Sequence, residues 1–283
     1  MTMAAVLSPA ASKVTFRLAG GAQPLMLVPV RVNEKGPFEF IVDTGAGTTL
    51  LTPHLAESLQ IESTGTKQGH TAGGSVQALL ATADSLAVGE VREENLDVAI
   101  VDLEPIARAV GAKIDGDLGY NFLRHFRLAI DYRALELKLG DPSRVEYFGP
   151  PSRTEVPMRL ANPAKPLILI DAHVGGRGPF QFAIDTGTST SAISAELAQE
   201  LGLAGMPVGP VSTGGAPLQM SVARVPSLRV GACEVRDLDV MIGEFLTMLS
   251  RAAGSRLDGI IGYNFLRNYR VIIDYPNEVF RLE

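Results

Sequence analysis

The chain has one cysteine, Cys233, among 283 residues, and no tryptophan. A lone cysteine excludes an internal disulfide and a thiolate metal cluster, and it favours a reducing compartment such as the cytoplasm. Removal of a leader peptide would equally allow the periplasm or secretion. The opening residues 1–13 carry neither a basic flank nor a strong apolar run and do not read as a secretory signal. No apolar run approaches the roughly 18 residues of a spanning helix, so no membrane partner is expected. Charge of one sign is never gathered into blocks. With 25 basic and 31 acidic side chains mixed along the chain, the net charge is -6. That balance lacks the basic footprint of nucleic-acid or anionic-membrane binding. His54, His70, His125 and His173 show no ligand spacing, so neither metal nor other cofactor is expected. No Gly-x-Ser-x-Gly elbow occurs, and Cys233 has no histidine near it in sequence, which leaves it a structural residue.

What the chain has is a repeat. Residues 36–61 (GPFEFIVDTGAGTTLLTPHLAESLQI) and 178–203 (GPFQFAIDTGTSTSAISAELAQELGL) agree at 11 of 26 positions at an offset of 142. Residues 114–139 (IDGDLGYNFLRHFRLAIDYRALELKL) and 257–282 (LDGIIGYNFLRNYRVIIDYPNEVFRL) agree at 13 of 26 at an offset of 143. Between these blocks, Thr71-Ala72-Gly73-Gly74 answers Thr213-Gly214-Gly215, and LDVAIVDL from residue 96 answers LDVMIGEF from residue 238. One module is written twice. At about twice the size of an ordinary domain, the chain divides into expected domains at residues 1–147 and 148–283. Pro142, Pro150, Pro151, Pro157, Pro163 and Pro166 cluster between the copies, which predicts an extended connector without regular ladder bonding.

Within each copy the periodicity favours strands. Residues 27–32 lead to an expected Gly36-Pro37 turn, after which Phe38, Phe40 and Val42 alternate toward Asp43. Residues 168–174, Gly178-Pro179 and Phe180, Phe182 and Ile184 repeat the plan before Asp185. A short helix is expected next, capped by Thr52 with Pro53 in its first turn, or by Ser194. Leu55 and Leu59, like Leu197 and Leu201, supply its buried face at a spacing of four. Ile130-Asp131-Tyr132 and Ile273-Asp274-Tyr275 look like closing strands. The expected architecture is two small lobes, all-β apart from short helices, and not an alternating α/β sheet.

Asp43-Thr44-Gly45 and Asp185-Thr186-Gly187 each follow an apolar strand directly. A carboxylate at a strand exit is rigidly held, and the glycine permits a tight turn and close approach by another segment. If pseudo-symmetry brings the two turns together, the carboxylates cannot both ionise easily and hold one proton between them. One member would take a proton from water while the other serves the scissile carbonyl.

This ordered, duplicated set resembles the retropepsin-like aspartic peptidases of the pepsin-type clan, over nearly the whole chain and once per half. The resemblance implies two pseudo-twofold-related β-barrel lobes, each with a short helix after the Asp-Thr-Gly loop and another near its C-terminus. It implies catalytic roles for Asp43 and Asp185, and cross-bracing of the loops by Thr44 and Thr186. Gly45 and Gly187 would keep the backbone open to substrate. It also implies two flaps, at Thr71, Ala72, Gly73 and Gly74 and at Thr213, Gly214 and Gly215. The expected partner is a polypeptide substrate, cleaved by a monomer with an intrachain site or by a dimer sharing sites between chains. Asp117-Leu118-Gly119 departs from the family's apolar pair before glycine, which Ile260-Ile261-Gly262 keeps. Tyr120 and Tyr263 stand where retroviral enzymes place arginine. Thr188 follows Gly187 whereas Ala46 follows Gly45, so the Thr188 hydroxyl is expected to favour charge on Asp185 and leave the proton on Asp43.

Three rival readings bear on this. A peptide-binding pseudopeptidase would keep the cleft without turnover. Asp-Thr-Gly-Thr-Ser also resembles the phosphate loop of sugar kinases and actin-like ATPases, which need longer lobes with alternating helices. Residues 45–50 nearly make a dinucleotide fingerprint but lack its last glycine and a following βαβ unit. Asn121-Phe122-Leu123-Arg124 and Asn264-Phe265-Leu266-Arg267 read as helix packing.

Overall fold

The computed structural model describes residues 11–71, 74–141, 155–163, 165–211 and 216–283. The first half contributes β1 (Ala11–Thr15), β2 (Arg17–Ala19), β3 (Leu25–Val32), β4 (Lys35–Val42), β5 (Thr49–Leu51), α1 (Pro53–Ser58) and β6 (Gly65–Thr71). It continues with β7 (Gly74–Val88), β8 (Val91–Ile100), α2 (Glu104–Val110), β9 (Gly116–Leu118), α3 (Tyr120–Leu123), β10 (Arg127–Asp131) and β11 (Glu136–Gly140). The second half contributes β12 (Glu155–Pro157), β13 (Arg159–Asn162), β14 (Lys165–Val174), β15 (Arg177–Ile184), β16 (Ala192–Ile193), α4 (Ala195–Glu200) and β17 (Met206–Val211). It ends with β18 (Leu218–Val230), β19 (Cys233–Ile242), α5 (Phe245–Ala253), β20 (Gly259–Ile261), α6 (Tyr263–Leu266), β21 (Arg270–Asp274) and β22 (Val279–Leu282).

Each copy folds its apolar strands into an eight-stranded sheet. The order is β2-β3-β4-β9-β5-β8-β7-β6 in one lobe and β13-β14-β15-β20-β16-β19-β18-β17 in the other. Extra pairings of β3 with β7 and of β14 with β18 curl each sheet back on itself, so its inner strands lose their edges. Val28, Val30, Val32, Phe40 and Val42, with Ile168, Ala172, Phe182 and Ile184, are fully buried. The first helices are capped as expected: Thr52 Oγ accepts from Leu55 N–H at 3.3 Å and Ser194 Oγ from Leu197 N–H at 3.0 Å.

A third sheet joins the lobes, in the order β1-β11-β10-β21-β22-β12. At its centre β10 and β21 run antiparallel, with Leu128 opposite Ile273 and Ile130 opposite Val271. All four are buried. The closing segments of the two copies therefore pair with each other across the pseudo-twofold axis.

Three local expectations are revised. The hairpin turns lie at Asn33-Glu34 and Gly175-Gly176, each with two successive positive φ values, 49° and 62° and then 57° and 78°. Such pairs match the twist of the flanking strands, so Gly36-Pro37 and Gly178-Pro179 lie inside β4 and β15. The described part of the connector is laddered: Pro157 sits opposite Val279 at the edge of the shared sheet, where a missing N–H is tolerated. Helices α2 and α5 were not foreseen, and each stops at a left-handed glycine, Gly111 and Gly254.

Candidate active site

Strands β4 and β15 deliver Asp43 and Asp185 to the lobe junction. The Asp43 N–H donates to Leu118 C=O at 3.1 Å, and the Asp185 N–H donates to Ile261 C=O at 3.0 Å. Each aspartate is thereby tied to the second motif of its own copy, on β9 or β20. Beneath them the threonines interlock. Thr44 N–H donates to Thr186 Oγ and Thr186 N–H to Thr44 Oγ, both at 3.1 Å. The Thr44 hydroxyl donates to Ile184 C=O at 2.9 Å, and the Thr186 hydroxyl to Val42 C=O at 2.6 Å. Thr44 and Thr186 are buried, and these four bonds satisfy their polar groups across the junction.

The glycines meet the opposite copy. A methyl group on Gly45 would stand 2.7 Å from Asp185 Oδ2, and one on Gly187 would stand 2.6 Å from both carboxylate oxygens of Asp43. Each loop therefore presses its backbone against the other lobe's aspartate, and the two carboxyl groups share one partly buried space within a single chain.

Backbone N–H groups of the loops donate to both carboxylates. Asp43 Oδ1 accepts from the N–H groups of Gly45 at 2.6 Å and Ala46 at 3.2 Å. Asp185 Oδ1 accepts from Gly187 N–H at 2.9 Å. Thr188 turns its γ-methyl toward Gly262, and its carbonyl accepts from Tyr263 N–H at 2.9 Å. Asp43 thus has two backbone donors of its own, although alanine follows its glycine where the other copy has Thr188.

The second motifs hold the loops from behind. A methyl group on Gly119 would strike Thr48 C=O at 2.6 Å, and one on Gly262 would strike Thr188 C=O at 2.8 Å. Asn121 Oδ1 accepts from Thr49 N–H at 2.7 Å and the Thr49 hydroxyl at 2.9 Å. Asn264 repeats this with Ser191, both at 2.8 Å, while its amide donates to Asp239 C=O at 2.7 Å. The packing account of Phe122, Leu123, Phe265 and Leu266 stands, since all four are fully buried. Sequence reasoning missed the role of the asparagines that precede them; their signal was their recurrence in both copies two residues after a glycine.

Tyrosines occupy the places of the retroviral arginines. Tyr120 packs edge-on against Tyr275 of the other half, with ring centroids 5.5 Å apart, and Tyr263 packs against Tyr132 at 5.3 Å. At these two positions the contact between the halves is aromatic. Burial pushes both the Tyr132 and Tyr275 phenols well up, with Tyr263 and then Asp185 adding to the first, and Asp43, Tyr120 and Asp185 to the second.

Of the flap residues, Ala72, Gly73, Thr213, Gly214 and Gly215 lie outside the described residues. Thr71 and Gly74 face each other at the end of the β6–β7 ladder. Among the described residues no group of histidine, cysteine, aspartate and glutamate could hold a metal ion.

Comparison with known proteins adds one finding. The family profile described as "Aspartyl protease" matches the chain twice, over residues 28–122 and 170–265. The two matches coincide with the two lobes. Among curated proteins, none matches the chain.

Proposed function

Because the chain belongs to the aspartyl protease family, we propose that it is an aspartic endopeptidase whose Asp43 and Asp185 activate one water between them. The observation that carries this reading is the reciprocal contact of each Asp-Thr-Gly glycine with the other lobe's aspartate. Carboxyl groups so placed share one proton, because two adjacent charges in a partly dry site repel. The ionised member removes a proton from water, whose oxygen attacks the peptide carbonyl. The protonated member gives its proton to that carbonyl oxygen, forming a gem-diol; the C–N bond then breaks as the first aspartate passes the water proton to the amine nitrogen and a hydroxyl proton returns to the second. The threonine interlock holds both loops while charge moves, which keeps reorganisation small.

The hairpins β6–β7 and β17–β18 stand at the outer edge of their sheets and are read as a pair of flaps that close on an extended polypeptide. The all-β fold leaves no place for the alternating helices of a sugar kinase. A site complete within one chain supports a monomeric enzyme.

The test is cleavage of an unfolded casein-type substrate. Asp43→Asn and Asp185→Asn are each expected to lower kcat/KM by at least about a thousandfold while leaving the fold intact. Mixing the two variants should restore nothing, since each chain carries its own pair. Binding of a statine-type peptide at one per chain with no cleavage by the wild type would instead establish a pseudopeptidase.

A further inference from the structure

Among the differences between the copies beside the dyad, one exchanges an apolar side chain for an ionisable one. Strand β20 carries Ile260 between Gly259 and Ile261, whereas β9 carries Asp117 between Gly116 and Leu118. Ile260 packs into an apolar cluster with Leu167, Leu169 and Ala183. Asp117 is just as buried, with 5% of its surface exposed. It lies opposite Ile41 on β4, two residues before Asp43, whose N–H bonds the carbonyl of the residue after Asp117, Leu118, and Asp117 Oδ1 is buried with no hydrogen-bond partner.

We propose that Asp117 is a positioning residue for the dyad: it holds its own proton, donates it in a hydrogen bond to Asp43, and so makes Asp43 the ionised member and Asp185 the proton carrier. This inference rests on the peptidase reading given above. A hydrogen bond between two carboxyl groups needs a proton on one of them. Ionised Asp117 would be a buried charge with one oxygen unsatisfied, which burial disfavours. Asp43, by contrast, already accepts from two backbone N–H groups, the arrangement that favours a carboxylate. The proton therefore belongs on Asp117 and the charge on Asp43.

The surroundings agree. Strand β4 brings Asp43 and the junction brings Asp185; β5, the other neighbour of β9, carries Thr49, Leu50 and Leu51 and no titratable group. Further along β4, Glu39 engages Arg17 and its N–H donates to Asp115 at 3.0 Å. On the approach to β9, Asp115 is paired with Lys113 at 2.7 Å, which neutralises it. Tyr120 of α3 is turned to Tyr275. Burial first, then the charge and hydrogen bond of Asp43 and the charge of Asp185, push Asp117 well above the ordinary carboxylate range.

Two substitutions separate donation from mere filling of space. Asp117→Asn keeps the shape and an N–H donor, and Asp117→Ile installs the residue of the other copy. If Asp117 donates to ionised Asp43, Asp117→Ile makes Asp43 harder to ionise. The acidic limb of kcat/KM then moves to higher pH, with about a tenfold loss on that limb, and Asp117→Asn rescues it. The inference is overturned if Asp117→Ile leaves the limb in place, if Asp117→Asn moves it equally, or if both move it downward, as removal of a negative charge would.

A second readout needs no turnover. A raised value means that the contribution of Asp117 to stability is complete below the ordinary 3.8 and is lost as pH rises through the folded-state value. The melting temperature of Asp117→Asn should therefore gain on the wild type with rising pH and show no such gain at the acid end. No pH-dependent gain sinks the inference. A gain without any peptide cleavage sinks the peptidase reading and leaves the protonated Asp117 standing.

Discussion

At Gly187 the smallest side chain would collide with the carboxyl of Asp43, 2.6 Å away, although the backbone itself lies outside the left-handed region. The constraint is thus one of contact and not of conformation. Gly187→Ala is expected to fold with little loss of stability and to lower kcat/KM by about a hundredfold or more, because displacing a reacting group by an ångström costs that much. A melting curve beside a rate measurement checks both halves of the statement. The two aspartates, two threonines and two glycines were legible in sequence, since Asp-Thr-Gly after an apolar strand occurs in each copy. Asp117 was legible only as a flaw in an apolar pair. Asp43 stands 74 residues earlier in the chain, and nothing local announces that their strands run side by side.

Among the elements, the four-residue helices α3 and α6 are too short to be stable by propensity. Their first residues are clamped instead. Asn264 accepts two hydrogen bonds from Ser191 and donates one to the β19 backbone, so it ties α6 to the loop entering β16 and to β19 at once. Asn264→Ala leaves those groups unmatched and is expected to cost about 2 kcal/mol of unfolding free energy, measured in urea. Because Ser191 Oγ also receives Gly262 N–H at 3.0 Å, the loop behind Asp185 loosens and kcat should fall with it. The capped helices α1 and α4 were readable from Thr52, Pro53 and Ser194. Helices α2 and α5 were not, since neither has a side-chain cap and their residues follow strand-like runs.

At the scale of the molecule, the shared six-stranded sheet sets the distance between the lobes. Arg127 on β10 and Asp274 on β21 face each other across its centre and are paired, with side chains 11% and 2% exposed. Asn277 adds an amide donor to Asp274 at 2.9 Å. Breaking one side, as in Arg127→Met, strands a buried carboxylate and is expected to cost about 3–5 kcal/mol, read from urea unfolding. Replacing both, with Asp274→Leu added, should recover most of that loss. If the single change were harmless, the pair would have no part in holding the lobes together.

The duplicated blocks determined the architecture in sequence terms. Alternating apolar residues make strands, and two copies of one module make two like lobes related by a pseudo-axis. The same blocks named Asp43 and Asp185, because the residue types and their order are local facts. Only the folded chain decided that β10 and β21 pair with each other, that Tyr120 and Tyr263 brace the opposite half, and that the strand carrying Asp117 runs beside the one that delivers Asp43. Those contacts join residues far apart in the chain, and their geometry is set by packing of the whole core, which no local periodicity encodes.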